Sequence, residues 1–247
     1  MALIERSGLV PGHILKRYKR FLADVRLLDG SVTTAHCTNT GTMKSCWEPE
    51  DFVLLEPSAN PERKLKYTWM LCRRQGAWVG VDTGMPNKVV AEAARWDRLP
   101  GLPGLHHVQT EVRYGNERSR IDVLALDAAD RKVYIEVKNT TLRQGDSCCF
   151  PDAVTERGIK HLRELQAMVA EGHRAAIVFF VQRSDVRTFD AAREIDPAYA
   201  AELDRAAAAG VLILPVQAGP RAAEAEDGTW DAAWGLQGLL PWERGKE

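Results

Sequence analysis

Apolar and polar residues alternate in short runs over roughly the first third of the chain. Phe21, Ala23, Val25 and Leu27 alternate with mostly polar neighbours, which is the pattern of a strand with one buried face. A tight turn is indicated at Asp29-Gly30, and further strand-like runs occupy residues 31–37, 51–57, 65–74 and 77–83. Because these short strands follow one another without a strong helix, they predict a small closed β-barrel of the OB type, with Phe21 in its core.

The pattern changes after Pro86, where apolar residues recur at helical spacing. The predicted elements are a helix at 87–96, strands at 108–115, 120–127 and 132–139, a helix at about 153–171, a strand at 175–183, a helix at 197–210 and a strand at 211–217. This order, α-β-β-β-α-β-α-β, predicts an α/β domain in which helices cover the faces of a mixed sheet.

These patterns divide the chain into three parts. Residues 1–83 are predicted to form the OB-like barrel and residues 84–219 the mixed-sheet α/β domain. Residues 220–247 form an acidic tail that carries Trp230, Trp234 and Trp242. We expect the three indoles to dock on the body of the protein or on a second copy of the chain, so a homodimer is one expectation.

Composition and cysteine usage point to a protein of a reducing compartment. The chain has 247 residues, of which 45% are hydrophobic and 27% charged, which is typical of globular domains. Its five cysteines are odd in number and include no C-x-x-C pair, which argues against a secreted disulfide framework. Glu5 and Arg6 lie where a signal peptide would need an apolar stretch, so we expect no signal peptide. The longest apolar run, residues 175–181, is far too short for a membrane span. We therefore expect a cytoplasmic protein without a membrane partner.

Charge is spread unevenly along the chain, although the formal net charge is only -1. Residues 1–80 carry 12 Lys/Arg against 8 Asp/Glu, whereas residues 161–247 carry 9 against 14. A polyanion is therefore expected to meet the N-terminal part first. Charges scattered over solvated faces are the alternative interpretation.

One group of charged residues indicates chemistry. Asp122 begins one predicted strand and Glu136 and Lys138 lie on the next, so a hairpin would bring them together, with Glu136 and Lys138 on one face. Two carboxylates suit Mg²⁺ or Mn²⁺, which bridge to substrate phosphates, and a lysine can assist the attacking water and stabilise charge on phosphorus. Glu111, on the preceding strand, is a candidate third metal ligand. Surface salt bridges are the alternative, but Glu136 and Lys138 interrupt an apolar strand, and charges there need a reason.

Seven stretches of the chain carry a family resemblance. They are RFLADV, AHCTNTGTM, NPERKLKYTW, GMPNKVV, EVRYG followed by RIDVL, YIEVKNTTL and FPDAVTERGIKHLREL. In this order they resemble the sugar fermentation stimulation protein family (SfsA) over about residues 12–217. The resemblance implies an N-terminal OB-like barrel, a C-terminal domain of the PD-(D/E)XK nuclease type, DNA binding and a role in regulating sugar utilisation.

The same resemblance assigns residues. It implies that Asp122, Glu136 and Lys138 occupy the nuclease motif, and that residues 155–157 and His161 open the flanking helix, where Arg157 and His161 are expected to contact nucleic acid. Two functions stay open: a DNA-binding nuclease that uses Mg²⁺ or Mn²⁺, and a DNA-binding regulator of sugar-metabolism genes that cuts nothing. An RNA-directed enzyme is a third, because stacking on single strands does not distinguish ribose from deoxyribose.

Basic and aromatic residues are interleaved at two places in the predicted barrel. We expect Arg17, Arg20, Arg63, Lys64 and Lys66 to contact phosphates, as cations beside stacking rings do in OB folds. The alternative is that the barrel strands simply carry aromatic residues inside and Lys/Arg outside.

The segment around residues 36–46 resembles two known kinds of site only in part. His36, Cys37 and Cys46 lack a fourth ligand for zinc. Residues 41–45, GTMKS, are similar to the end of a P-loop, but Met43 replaces the glycine that precedes the lysine. We expect instead a polar turn that exposes Asn39 and Thr40 to a nucleic-acid ligand.

Overall fold

The N-terminal part of the chain closes into a barrel in the computed structural model, which describes residues 2–115 and 119–245. Strands β1 to β6 span Ile4–Tyr18, Leu22–Leu27, Val32–His36, Phe52–Pro57, Tyr67–Arg74 and Ala77–Gly80. Around the barrel the order is β1, β2, β3, β5, β4 and back to β1, and β6 pairs with β5. The predicted OB-type barrel is confirmed, and the pairing of β4 with β1 removes the exposed edges of an open sheet.

Phe21 does not lie in the barrel core, so that part of the prediction is wrong. Lys19 and Arg20 adopt left-handed backbone conformations, with φ of 50° and 66°, and the chain reverses there between β1 and β2. Phe21 therefore falls in the turn and is 46% exposed. The rest of the alternation holds, because Ala23 and Val25 are fully buried in the core.

A mixed sheet forms the framework of the C-terminal part. Its strands are β7 (His106–Tyr114), β8 (Ser119–Leu126), β9 (Lys132–Thr140), β12 (Arg174–Val181), β14 (Leu212–Gln217) and β17 (Gly238–Leu239), and the helices are α1 (Met85–Arg95), α2 (Glu156–Ala170) and α3 (Pro197–Ala208). The order across the sheet is β17-β14-β12-β9-β8-β7. Strands β7, β8 and β9 are antiparallel, whereas β9, β12 and β14 are parallel. The predicted α-β-β-β-α-β-α-β order is therefore confirmed.

A small additional sheet was not predicted. It consists of β10 (Leu142–Gln144), β11 (Ser147–Phe150) and β13 (Thr188–Ala191), in the order β10-β11-β13.

Helices cover both faces of the mixed sheet, which explains the continuous apolar run of β12. On one face Ala176, Val178 and Phe180 pack in a core cluster with the apolar side of α1. On the other face Ala175, Ile177 and Phe179 pack with α2 and α3. Thr155 caps the N-terminus of helix α2, because its hydroxyl accepts a hydrogen bond of 3.0 Å from the Gly158 backbone N–H.

The C-terminal segment extends both sheets. Strands β15 (Arg221–Glu224) and β16 (Trp230–Trp234) form a hairpin that pairs with the first part of β1, and β17 pairs with β14. Trp230 packs against the ring of Trp78, Trp234 is fully buried, and the Trp242 indole donates to Asp190. All three indoles thus dock on the body of the protein. The division at residues 83/84 and 219/220 stays a prediction.

Four general expectations from the sequence concern membrane spans, disulfides, cellular location and oligomeric state. No helix in residues 2–115 and 119–245 is long and apolar enough to cross a membrane. All five cysteines are buried and unbridged, as expected from their spacing. The cytoplasmic location and the homodimer stay predictions.

Candidate active site

The β8–β9 hairpin brings the predicted carboxylates together. Its ladder ends where Val123 pairs with Ile135, and extending the register by one residue places Asp122 across from Glu136. Beyond that pair, the backbone N–H of Val137 donates to the side-chain oxygen Oδ2 of Asp122 at 2.7 Å. The other oxygen, Oδ1, accepts a hydrogen bond of 2.8 Å from the Asn87 amide at the start of α1. The Asp122 carboxylate is therefore held in one orientation from two sides.

Glu136 is nearly fully buried, and only one of its oxygens is engaged. Oε1 accepts a hydrogen bond of 2.6 Å from Lys138 Nζ and another from Nδ1 of His161. Oε2 is buried and has no hydrogen-bond partner among the residues that the structure describes. A buried carboxylate oxygen left in this way costs about 1–3 kcal/mol unless something binds it.

Helix α2 contributes two polar residues, Arg157 and His161, next to Glu136. Arg157 and His161 lie one turn apart, and Arg157 Nε donates to His161 Nε2 at 3.4 Å. Because Nε2 accepts, we assign the ring hydrogen to Nδ1, from which it is donated to Glu136. Arg157 thus contacts His161, and His161 contacts Glu136. Lys138 Nζ lies beside this pair, 2.6 Å from Glu136 Oε1 and 3.1 Å from His161 Nδ1. His161 is buried, and both its ring nitrogens are in use.

The pKa values of the two carboxylates are shifted in opposite directions. Burial, and then the negative charge of Glu136, raise the pKa of Asp122 to about 6, although Val137, Lys138 and Asn87 oppose the shift. Burial would also raise the pKa of Glu136, but the contacts with His161 and Lys138 outweigh it, so this pKa lies below its ordinary value. The site therefore combines a carboxylate that ionises at lower pH than usual, Glu136, with one that ionises at higher pH than usual, Asp122.

This donor set fits a hard divalent cation. Asp122 and Glu136 offer carboxylate oxygens, and Glu136 Oε2 is the unpartnered one. Within the described part of the chain, no group of three or more His, Cys, Asp and Glu side chains is arranged to hold a metal ion. A cation here would complete its coordination with water or phosphate oxygens, as Mg²⁺ commonly does.

Glu111, the predicted third metal ligand, lies at the edge of the carboxylate pair. The β7–β8 register places it across from Asp122. Its backbone, however, is left-handed, with φ of 57°, and its side chain is exposed at the rim. A metal contact by Glu111 stays a prediction.

Two cavities meet at the carboxylates. The first, of about 560 Å³, is lined by Asn87, Glu111, Arg120, Asp122, Glu136, Val137, Lys138, Arg157, Lys160 and His161. The second, of about 800 Å³, runs between α1, β7 and the start of β1 and shares Asn87, Glu111 and Asp122 with the first. The carboxylates therefore lie on a solvent-open groove with Arg120, Arg157 and Lys160 among its lining residues.

Part of the predicted phosphate-contacting set of the barrel is used inside the molecule. Arg17 Nη2 donates to the carbonyls of Asn39 and Gly41, at 2.8 and 3.0 Å, and so holds that loop. Arg63 donates to Thr68, and Lys66 Nζ to the Pro61 carbonyl.

The polar turn is only half exposed, because Asn39 is 7% exposed and its side chain accepts from the Gly41 N–H. Within the described residues, Arg20, Thr40 and Lys64 are exposed and have no partner. None of these barrel residues lines the carboxylate groove, and their contacts with nucleic acid stay predictions.

Sequence reasoning missed three residues of the groove: Asn87, Arg120 and Lys160. Asn87 belongs to the stretch GMPNKVV, and its only signal in the sequence is a polar side chain near the start of an apolar helix. Arg120 and Lys160 are ordinary surface cations by pattern, and only the tertiary fold brings them to the carboxylates.

Comparisons with known proteins agree with this architecture. The family model for the SfsA N-terminal OB domain matches residues 15–81, and the model for the sugar fermentation stimulation protein RE domain matches residues 84–224. A sugar fermentation stimulation protein homolog of Geobacter metallireducens is 50% identical over 212 residues, which cover 86% of this chain and 91% of the relative. A homolog of Rhodospirillum rubrum is 52% identical over 218 residues, covering 84% and 89%.

A solved structure is similar over almost the whole chain. The structure of Pyrococcus furiosus SfsA in complex with Ca²⁺ has a TM-score of 0.83 and 29% identity, and the match covers 98% of this chain and 99% of that one.

Proposed function

Because this chain belongs to the sugar fermentation stimulation protein family, we propose that it binds DNA and hydrolyses phosphodiester bonds at a divalent-cation site formed by Asp122 and Glu136. The observation that carries the proposal is the buried, unpartnered Oε2 of Glu136 beside the fixed carboxylate of Asp122. The Ca²⁺ complex of the Pyrococcus furiosus relative supports it, because Ca²⁺ shares the preference of Mg²⁺ and Mn²⁺ for oxygen ligands.

Each polar residue of the site has a role in this proposal. Mg²⁺ or Mn²⁺, when bound, polarises a phosphoryl oxygen and lowers the pKa of a bound water. Lys138 Nζ, 2.6 Å from Glu136, can orient the attacking water and stabilise the negative charge that grows on the phosphate. His161 is a positioning residue, because it acts through its hydrogen bond to Glu136. Arg157 holds the His161 ring and faces the groove, where it can bind a phosphate.

The groove provides a path for a nucleic-acid strand. Its two cavities join at Asn87, Glu111 and Asp122, so the path continues beyond the carboxylates along α1. Because the whole chain has a net charge of only -1, binding is expected to rest on local cations, with modest affinity that falls as salt is added.

The test is cleavage of labelled single- and double-stranded DNA in Mg²⁺ or Mn²⁺. Wild-type protein should cut at least one substrate, and Glu136→Gln, which keeps the side-chain shape, should not. Asp130→Asn is the matched control, because Asp130 lies on the same hairpin with an exposed carboxylate. Equal activity in wild type and Glu136→Gln, or none in either, would reject hydrolysis at this site.

A second candidate function is a DNA-binding regulator of sugar-metabolism genes that cuts nothing. It is favoured by the finding that the described residues contain no three-ligand acidic cluster. A regulator would bind DNA with a clear salt dependence and would leave it intact at every metal concentration. The cleavage assay, run beside a binding assay, separates the two candidates.

A further inference from the structure

A further cavity, separate from the two at the carboxylates, lies where the barrel meets the C-terminal domain. This junction cavity has a volume of about 360 Å³ and is lined by Lys44, Ser45, Arg74, Gln75, Arg143, Gly145 and Arg183. Four of the seven residues are cations and none is a carboxylate. None of the seven lines either cavity at Asp122 and Glu136.

The acidic partners of these cations do not line the cavity. Two guanidinium groups share the carboxylate of Asp185. It accepts hydrogen bonds from Arg183 Nε and Nη2 at 2.7 and 2.8 Å, and from Arg143 Nη1 at 2.9 Å. Arg74 is paired with Glu48 and, at 3.6 Å, with Asp51. The wall that faces solvent therefore presents positive charge, which attracts small anions.

Arg183 is a fixed part of this wall. It is 1% exposed, and its Nη1 donates to the Thr141 carbonyl at 2.8 Å and to the Ser45 carbonyl at 3.2 Å. Ser45 belongs to the barrel side and Thr141 to the C-terminal domain, so the guanidinium joins the two. Its charge is held in place before any ligand arrives, which reduces the entropy lost on binding.

Two cations keep donors available for a ligand. Lys44 is exposed and has no partner within the described part of the chain. Arg143 uses Nε and Nη1 for the Gly145 carbonyl, Gln75 and Asp185, and its Nη2 makes no hydrogen bond to the described residues. An ammonium group and one edge of a guanidinium thus border the same small space.

We propose that the junction cavity binds a phosphate group, with Lys44 and Arg143 as direct ligands and Arg74 and Arg183 as background charge. Several N–H donors that line one small cavity match the several oxygens of a phosphate better than a monoatomic anion. The volume lies at the small end of the range for ligand sites, so the cavity has room for a phosphate group and for part of the molecule that carries it. Lys44 and Ser45 come from the GTMKS segment, which fails as a P-loop but contributes its cation here. This proposal does not depend on the proposed nuclease function.

The test uses inorganic phosphate and pyrophosphate as probes, with EDTA present so that no divalent cation takes part. Binding is measured by calorimetry and by the shift in Tm at constant ionic strength, with sodium chloride as the reference salt. Wild-type protein should bind pyrophosphate and gain stability, because a ligand that binds the folded state raises Tm. Lys44→Glu should weaken binding at least about tenfold, since a like charge then faces the ligand. Lys44 is exposed and unpaired, so this variant should fold normally.

Two controls define the site. Lys132→Glu makes the same charge change at an exposed position on β9 outside the cavity, and it should bind pyrophosphate as wild type does. Glu136→Gln should also bind normally, so failure of the nuclease proposal would not imitate failure of this one. Equal Tm in pyrophosphate and in chloride, or equal affinity in Lys44→Glu and Lys132→Glu, would overturn the proposal.

Competition then identifies the source of the phosphate. If a short single-stranded oligonucleotide displaces pyrophosphate from wild-type protein, the cavity holds a phosphate of a nucleic acid. If both bind together, it holds a free phosphorylated small molecule. Either result supports a phosphate site.

Discussion

Trp234 shows how firmly the C-terminal segment is built into the fold. Its side chain is fully buried in the cluster that contains Leu9 and Leu54, and its indole N–H donates to Gln182 Oε1 at 3.2 Å. A tryptophan buries roughly 150–250 Å². At about 25 cal/mol per Å² this contributes roughly 4–6 kcal/mol. Because alanine keeps part of that area, we expect Trp234→Ala to lower the free energy of unfolding by about 4 kcal/mol.

Urea unfolding followed by far-UV circular dichroism measures this loss. Trp96→Ala is the matched control, because the same side chain is removed from a position that is 65% exposed, and its effect should stay within about 0.5 kcal/mol. If Trp234→Ala cost less than about 1 kcal/mol, or no more than Trp96→Ala, residues 230–234 would not be an integral strand of the barrel sheet.

Three further predictions test other parts of the structure. Arg17→Ala should lower the free energy of unfolding by about 1–3 kcal/mol in the same urea assay, because the carbonyls of Asn39 and Gly41 lose their donor. Arg20→Ala, the control, should change it by less than about 0.5 kcal/mol, and equal effects of the two variants would contradict the loop contact. Asp152→Ala should lower the free energy of unfolding by about 1–2 kcal/mol, because Asp152, in the C-terminal domain, accepts hydrogen bonds from the backbone N–H and the hydroxyl of Thr42 in the barrel. An unchanged Tm would refute this prediction. The five cysteines should react slowly with a disulfide reagent at pH 8 in native protein and fully in guanidinium, because all are buried and burial raises the pKa of each thiol, for Cys46 and Cys149 to about 11. Rapid reaction of the native protein would contradict their burial.

Local patterns were sufficient to predict the main elements of both domains. The alternation around Ala23 and Val25 predicted a half-buried barrel strand, and the apolar run at 175–181 predicted the central strand covered on both faces. The errors arose where tertiary contacts decide. The turn at Lys19 and Arg20 removes Phe21 from the core, and the short strands 142–144, 147–150 and 188–191 become strands only by pairing with one another.

The candidate site shows the same division. The sequence predicted that Asp122, Glu136 and Lys138 lie on one hairpin, with Glu136 and Lys138 on the same face. In the structure, Lys138 Nζ is 2.6 Å from Glu136 Oε1. It could not show that Asn87, 35 residues before Asp122, fixes that carboxylate. Nor could it show that Arg17 donates to the carbonyls of a loop, because a basic residue next to aromatic residues looks the same in the sequence whether it binds a carbonyl or a phosphate.

The central claim is that Asp122 and Glu136 together hold a divalent cation, and titration of Mn²⁺ by calorimetry tests it most directly. We expect wild-type protein and Asp130→Asn to bind Mn²⁺ with the same affinity, and Asp122→Asn and Glu136→Gln each to lose that binding. Wild-type protein that binds no Mn²⁺, or a Glu136→Gln variant that binds it as tightly as wild type does, would contradict the claim.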